Sequence, residues 1–266
     1  MRFEKRYELA RETIINLGKE LKVKHHQKLD VSFKDKNRDD PVTELDRYAQ
    51  NTIINAVKGR FKEDRFLGEE EGEEKSVIDS KSLWVIDPID GTANFMHGLP
   101  IWGISIAYAV EGKIQFGLCY CPEMNMLFEA KKGGGAWLNA ERITCSNIDN
   151  LAESAITSGI THGIERAKGL NDPRLQLFWE LVKTSQRVRI LGSAVVQICE
   201  VASGHTEAFC GINLKPWDIA ASILIVREAG GKATDFNGAE ADLTTRNLIT
   251  TNSKIHSELM PLCSRL

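Results

Sequence analysis

Asp87 and Asp90, with Pro88 between them and Gly91 and Thr92 behind, are the residues of this chain best suited to chemistry. They close the run Trp84-Val85-Ile86-Asp87-Pro88-Ile89-Asp90-Gly91-Thr92, which begins as a short apolar strand. Strand side chains alternate faces, so two carboxylates three residues apart diverge if the strand continues. Pro88 fixes its own φ, offers no N–H to a ladder and holds Asp87 extended. The sequence therefore predicts a turn at Pro88 that brings both carboxylates to one point. Carboxylates that close raise each other's pKa unless a cation sits between them. The N–H groups of Gly91 and Thr92 stand ready beside that point for an anion. The chemistry predicted is a hard-metal site that handles phosphate.

Other residues qualify by position. Glu69 follows Phe66-Leu67-Gly68, where a strand end projects a carboxylate, although it also opens the acidic run of Glu69, Glu70, Glu71, Glu73 and Glu74, and such runs are normally solvated surface. Asp46 falls in the first turn of a predicted helix, a favourable place for any acid. Pro216-Trp217-Asp218 reads as a helix start with proline at its first position and the acid in its first turn. Gly192-Ser193-Ala194 opens a helix directly after a strand, presenting N–H groups to an anion or hydroxyl. His97, His162 and His205 show no ligand spacing. A Walker loop, a G-x-G-x-x-G and a G-x-S-x-G are all absent from the sequence, which counts against nucleoside triphosphatases, dehydrogenases and serine hydrolases.

The elements that must position these residues follow from periodicity. Phe3, Tyr7, Ala10, Ile14, Leu17 and Leu21 predict an amphipathic helix over 1–22. Residues 25–40, polar and lysine-rich, read as an exposed, mobile loop. Leu45, Ala49, Ile53, Val57 and Phe61 mark a second helix over about 44–61, with Thr43 as its N-cap. An antiparallel meander is expected over 101–138. Beyond about 145 strands and helices alternate: strands near 154–158, 187–191, 206–210, 232–236 and 247–251, and helices near 174–185, 193–203, 216–229 and from 253. The expected organisation is an N-terminal α+β half, 1–145, carrying the carboxylate turn, and a C-terminal α/β half, 146–266, supplying Asp218.

With 266 residues, 42% hydrophobic and 27% charged, the composition is that of a soluble globular protein. A net charge of −3 argues against a protein held on nucleic acid by phosphate contacts. The sequence shows neither an apolar signal core nor a run long enough to span a membrane. Six scattered cysteines read as buried free thiols in a reducing cytoplasm.

Taken together these pieces resemble the inositol monophosphatase family of magnesium-dependent phosphatases, over nearly the whole chain. The segment from Trp84 through Ala93, Asn94 and Phe95 is similar to the family's first signature. Lys215-Pro216-Trp217-Asp218-Ile219-Ala220-Ala221, followed by Glu228-Ala229-Gly230-Gly231, is similar to the second, and Asp46 and Gly68-Glu69-Glu70 fall in order upstream. The resemblance implies an α/β fold, a five-layer αβαβα sandwich of the inositol monophosphatase and fructose bisphosphatase type. It implies an Mg²⁺-dependent, lithium-sensitive phosphomonoesterase acting on a small phosphorylated polyol or sugar such as inositol 1-phosphate. Fructose 1,6-bisphosphatase, NADP phosphatase and 3′-phosphoadenosine nucleotide phosphatase are the rivals within the fold. A non-catalytic regulatory or RNA-polymerase-associated protein is the rival of another class.

By the same resemblance Glu69, Asp87 and the Ile89 carbonyl would hold one Mg²⁺, and Asp87, Asp90 and Asp218 a second. A third, weaker ion would sit near Glu69. Four carboxylates against two Mg²⁺ balance in charge, and oxygen ligands favour Mg²⁺ over zinc. Asp46 and Thr92, with Glu69, would form the catalytic group around an attacking water. Asp90, Gly91, Thr92, Gly192, Ser193, Ala194, Gly211 and Asp218 would line the substrate, and Lys34, or Lys36 beside it, would be a flap lysine. A homodimer is implied, with a small phosphate monoester as partner and neither nucleic acid nor membrane. The departure lies at Gly211, where inositol-specific members carry a glutamate that binds ring hydroxyls. Its loss should weaken selection for inositol, and a glycine is expected to leave space for a different alcohol.

Overall fold

The N-terminal apolar stripe does what its spacing demands. In the computed structural model, which describes residues 3–25, 31–33, 41–70, 77–160 and 172–265, helix α1 (Glu4–His25) buries Leu9, Ala10, Ile14, Leu17 and Leu21. Phe3 and Tyr7 are packed half-buried against the same core. The expected loop over 25–40 needs correction where it is described. The first helix runs on to His25, and Val31–Phe33 forms a strand, β1, paired antiparallel with β2 (Pro41–Thr43). Val-Ser-Phe alternates as a strand should, and a proline is tolerated at the first position of β2. Residues 26–30 and 34–40, including Lys34 and Lys36, lie outside the described residues.

Helix α2 (Glu44–Lys58) is followed by β3 (Arg65–Gly68), β4 (Leu83–Asp90), the short helix α3 (Thr92–Met96) and the meander β5 (Gly103–Val110), β6 (Lys113–Cys121), β7 (Met126–Lys131), β8 (Ala136–Leu138) and β9 (Glu141–Ile143). Strands β3 to β9 form a seven-stranded sheet in sequence order, antiparallel except for the parallel β3–β4 pair. The second series is β10 (Ala155–Gly159), α4 (Pro173–Thr184), β11 (Arg187–Arg189), α5 (Ala194–Ala202), β12 (Ala208–Gly211), α6 (Pro216–Glu228), β13 (Lys232–Asp235), β14 (Leu248–Thr251) and α7 (His256–Cys263). Its five-stranded sheet has the order β11-β10-β12-β14-β13.

These elements stack in the expected five layers. Helices α1 and α2 cover one face of the larger sheet, α5 and α6 fill the space between the sheets, and α4 and α7 cover the far face of the smaller sheet. Strand β4 shows why its sequence reads as an unbroken apolar run. Trp84 and Ile86 face the α1–α2 core, while Leu83 and Val85 face the α5–α6 core. A strand buried on both sides has no polar face to alternate with. All six cysteines are buried thiols. Among the described residues no helix is long and apolar enough to cross a membrane.

One buried histidine gives the fold a pH dependence. His256, 5% exposed at the start of α7, has Nε2 3.3 Å from the Thr234 hydroxyl and Nδ1 3.1 Å from the Thr251 hydroxyl. Neutral imidazole satisfies both, because one nitrogen donates, the other accepts, and hydroxyls do either. Burial, and then the Lys232 charge, lower its pKa to about 4. The unfolded chain takes up this proton first, so the contribution is complete above the unfolded value of about 6.5 and is lost as pH falls through about 4. The loss is at most about 3 kcal/mol. Urea midpoints of the wild type and His256→Gln should converge as the pH drops through that window. A constant difference between the two proteins would show that His256 does not titrate there.

Candidate metal centre

The carboxylate pair of β4 is brought together by a bulge, where the sequence reading placed a turn. Asp87 stands opposite Ser105 and Asp90 opposite Gly103, so three steps along β4 match two along β5. The extra residue restores parity, and Asp87 and Asp90 return to one face of the sheet. Pro88 falls inside the irregularity, where a missing N–H removes nothing from the ladder. The chain turns only at Gly91, whose φ of +88° is open to glycine. A Cβ there would lie 3.1 Å from the Ile101 carbonyl oxygen and from Ser193 Cβ. Helix α3 starts at the next residue.

The third carboxylate arrives by parallel pairing. Glu69 donates its N–H to the Ile86 carbonyl at 3.3 Å, continuing the β3–β4 ladder by one step and setting its side chain beside Asp87. Gly68 leaves room for the Gln50 amide: a Cβ would come within 2.4 Å of Gln50 Oε1 and displace it, and this atom accepts the Glu70 N–H at 3.1 Å. The fourth, Asp218, sits in the first turn of α6 and accepts the Lys215 N–H at 2.8 Å.

These four acids crowd one another. Asp87 is 1% exposed. Its carboxyl is held well above the usual range by burial first, then by the charges of Glu69, Asp90 and Asp218 and a hydrogen bond with Glu69. Burial and then repulsion from Asp90 lift Asp218 in the same direction, against the opposing Lys215 N–H. Asp90 is raised to about 6: burial outweighs the bonds it receives from Ser193, Val195, Ala194 and Val196. Ser193 Oγ donates to Asp90 Oδ2, as does the Val195 N–H at 2.8 Å, while the Ala194 N–H reaches Oδ1 at 3.2 Å.

Beside this group Thr92 Oγ1 lies 2.9 Å from the Ile89 carbonyl oxygen and 3.2 Å from Oδ1 of Asp46, a carboxylate 1% exposed on α2. Among the described residues no three acidic, histidine or cysteine side chains close to the spacing of a formed metal shell. The donor chemistry nevertheless fits a hard divalent cation. Asp87 and Asp90 are buried, with Glu69 and Asp218 half-buried beside them. After burial, the charges of Glu69 and Asp90 push up the carboxyls of both Asp87 and Asp218, and Asp87 Oδ1 is buried with no hydrogen-bond partner. A divalent cation is the counter-charge that such a set of oxygens takes.

The structure thus brings Asp46, Glu69, Asp87, Ile89, Asp90, Thr92 and Asp218 together, with Gly91, Gly192 and Ser193 against them. It also redefines some of these residues. The Ala194 N–H, read from sequence as a substrate contact, is engaged by Asp90. Ser193 caps α5 by accepting the Val196 N–H while its hydroxyl is given to Asp90. Sequence reasoning missed three supports. Gln50 sets the Glu69–Glu70 backbone, and its signal was a polar residue one turn after Asp46 on the apolar stripe of α2. Asn94 Nδ2 donates to the carbonyls of Ile101 and Leu191, both at 2.7 Å. Gln197 Oε1 on α5 accepts the Leu191 N–H at 3.0 Å, tying the segment that leads into the helix back onto it.

Gly211 calls for a correction. The expected extra space is filled: a Cβ there would stand 2.6 Å from the Phe209 ring and 2.9 Å from Leu214. Gly211 pairs with Gly159 across β12 and β10, and the buried Phe209 ring lies over both, covering bare backbone as aromatic residues do beside strand glycines. Gly211→Ala should therefore cost about 1–3 kcal/mol from overpacking, measured by urea unfolding. An unchanged midpoint would mean that the ring yields freely.

Comparison with known proteins places the chain in a family. The model of the inositol monophosphatase family matches residues 3–265. A Thermotoga maritima protein named fructose-1,6-bisphosphatase/inositol-1-monophosphatase is 37% identical over 227 residues, 85% of this chain and 84% of its own. Nus factor SuhB of Pasteurella multocida is 36% identical over 225 residues, covering 85% of this chain and 83% of the relative. A solved structure of a Thermotoga maritima IMPase superposes with a TM-score of 0.87 at 34% identity, over 98% of this chain and 97% of that one. On the end-to-end family match, the two signatures and the shared fold, this chain belongs to the inositol monophosphatase family.

Proposed function

We propose that the protein is an Mg²⁺-dependent phosphomonoesterase for a small phosphorylated polyol or sugar. The observation that carries this is the unpartnered, buried Asp87 Oδ1 among Glu69, Asp90 and Asp218, with Thr92 and Asp46 alongside. Glu69, Asp87, Asp90, Asp218 and the Ile89 carbonyl would hold two to three Mg²⁺, which supply a lowered water pKa and stabilise the leaving alkoxide. Residues 1–145 would contribute all of these except Asp218, which comes from 146–266.

The chain's own groups set the rest. The Thr92 hydroxyl has one proton and two acceptors, Asp46 Oδ1 and the Ile89 carbonyl. Its lone pairs are then the part turned to a water, whose O–H they accept, with Asp46 behind as the carboxylate that draws the proton on. The water attacks phosphorus as the ester P–O bond breaks; one of its protons passes by way of Thr92 toward Asp46, the other stays on the phosphate, and the departing alkoxide takes its proton from solvent water. The N–H groups of Gly91 and Thr92 would hold the phosphate oxygens. With Gly211 covered by Phe209, no acid at that position grips ring hydroxyls, so breadth toward the alcohol is expected. The double name of the Thermotoga relative supports that breadth. The buried thiols support a reducing, cytoplasmic setting.

A hydrolysis panel tests the reading: inositol 1-phosphate, fructose 1,6-bisphosphate, NADP and 3′-phosphoadenosine 5′-phosphate, with and without Mg²⁺ and with millimolar lithium. Phosphate release that needs Mg²⁺, falls with lithium and extends to more than one ester is expected. Absence of turnover on all four would favour the regulatory reading, which the relative named Nus factor SuhB supports.

A further inference from the structure

Helix α3 carries Thr92 but has little to hold itself in place. Its backbone bonds include Phe95 N–H to the Gly91 carbonyl at 2.9 Å and His97 N–H to that of Ala93 at 3.1 Å. A helix so short has no stability of its own, so its sides decide where Thr92 stands. Asn94 grips one side through the Ile101 and Leu191 carbonyls. On the other side is Phe95, fully buried. Its ring faces the His25 imidazole with centroids 4.7 Å and planes 30° apart, and Trp102 stands edge-on to both, 4.8 Å from Phe95 and 5.5 Å from His25.

His25 is the last residue of α1 and 3% exposed, a place where an aliphatic side chain would fill the volume as well. Its polarity has a use. Nδ1 lies 2.9 Å from Glu123 Oε1 in the turn between β6 and β7. Lys22, one turn earlier, donates to the carbonyls of Pro122 and Glu123 at 3.1 and 3.3 Å. The imidazole is thus anchored to the larger sheet while its face backs Phe95. Phe95 and Thr92 are one helical turn apart, so a tilt of α3 moves both.

We infer that His25 is a positioning residue for the reaction: its flat ring backs Phe95 and so fixes the Thr92 hydroxyl against Asp46 and the Ile89 carbonyl. This rests on the water-orienting role proposed for Thr92. The test compares His25→Ala, which removes the ring, with His25→Phe, which keeps a ring against Phe95 and gives up the Glu123 bond. Kinetics are measured at saturating Mg²⁺, on the ester the wild type hydrolyses fastest, at a temperature where melts show both variants folded. His25→Ala should lower kcat about tenfold with KM within about twofold, and His25→Phe should recover most of kcat. Amide hydrogen exchange of Phe95 and His97 should quicken in His25→Ala and not in His25→Phe. Should His25→Ala not fold, His25→Leu, which fills the volume without a flat ring, takes its place. An unchanged kcat in the ring-deleted variant, or a His25→Phe enzyme as slow as it, overturns the inference. An inactive wild type overturns the hydrolase reading instead, and exchange then judges His25 alone: unchanged protection of α3 would overturn its role.

Discussion

Asp87→Asn is expected to lower turnover by about 10³-fold or more and, without added metal, to make the protein more stable than the wild type. The two effects have one origin. The Asp87 carboxyl is buried beside Glu69, Asp90 and Asp218, and its pKa stands far above the ordinary value of 3.8. A folded-state pKa above the unfolded one means that ionising this group costs folding free energy. The stabilising contribution is therefore complete below about pH 3.8 and lost as pH rises through the folded value. The amide removes the charge and keeps the shape. The metal-free variant should melt higher at pH 7–8, and its stability should respond less to acidification than that of the wild type. Added Mg²⁺ should raise the wild-type midpoint through binding to the folded state and raise that of the variant far less. Thermal melts with and without Mg²⁺, alongside turnover, check all three. Near-normal turnover, or an Mg²⁺ response equal to the wild type's, would remove Asp87 from the metal site. Asp90 is the poorer choice for this experiment. It accepts the Ser193 hydroxyl and the N–H groups of Ala194 and Val195, so an amide there faces donors with a donor and disturbs the start of α5.

Thr92→Ala should lower kcat by about 10²-fold while changing KM by no more than a few-fold, the signature of an interaction that matters mainly in the transition state. The hydroxyl is fixed by two acceptors on different elements, the Ile89 carbonyl on β4 and Asp46 on α2. Thr92→Ser keeps the oxygen and should keep most of kcat. Asp46→Asn should fall to a similar rate, and the double variant should be little slower than either single one, because both act on one water. A loss confined to KM, or multiplicative losses in the double variant, would place Thr92 in binding rather than in activation.

Several of these residues were legible before any coordinates. Asp87 and Asp90 announced themselves by type and spacing, Asp218 by a proline-led helix start, and Glu69 by its place after an apolar pair and a glycine. Helical periodicity carried the buried stripes of α1 and α2, and alternation carried the meander. Val31–Phe33 was lost because a three-residue strand inside a charged run has too little pattern to rise above it. The bulge at Pro88 was read as a turn because proline, aspartate and glycine make both, and only the partner strand decides between them.

The sequence by itself determined that carboxylates would stand beside a strand end and near helix starts, since residue type and local backbone preference are properties of neighbours in the chain. Only the tertiary structure decided which of those groups oppose one another. It matched β4 against β5 with one residue to spare, so that Asp87 and Asp90 share a face. It turned the N–H groups at the start of α5 onto Asp90, and it laid Phe209 over Gly211. The first two depend on pairing between residues up to about a hundred positions apart, and the third on a ring packed across the Gly159–Gly211 pair, none of which local chemistry encodes. The turn that seemed to join two carboxylates is in the folded protein a bulge in a buried strand, and its parity is what makes them a pair.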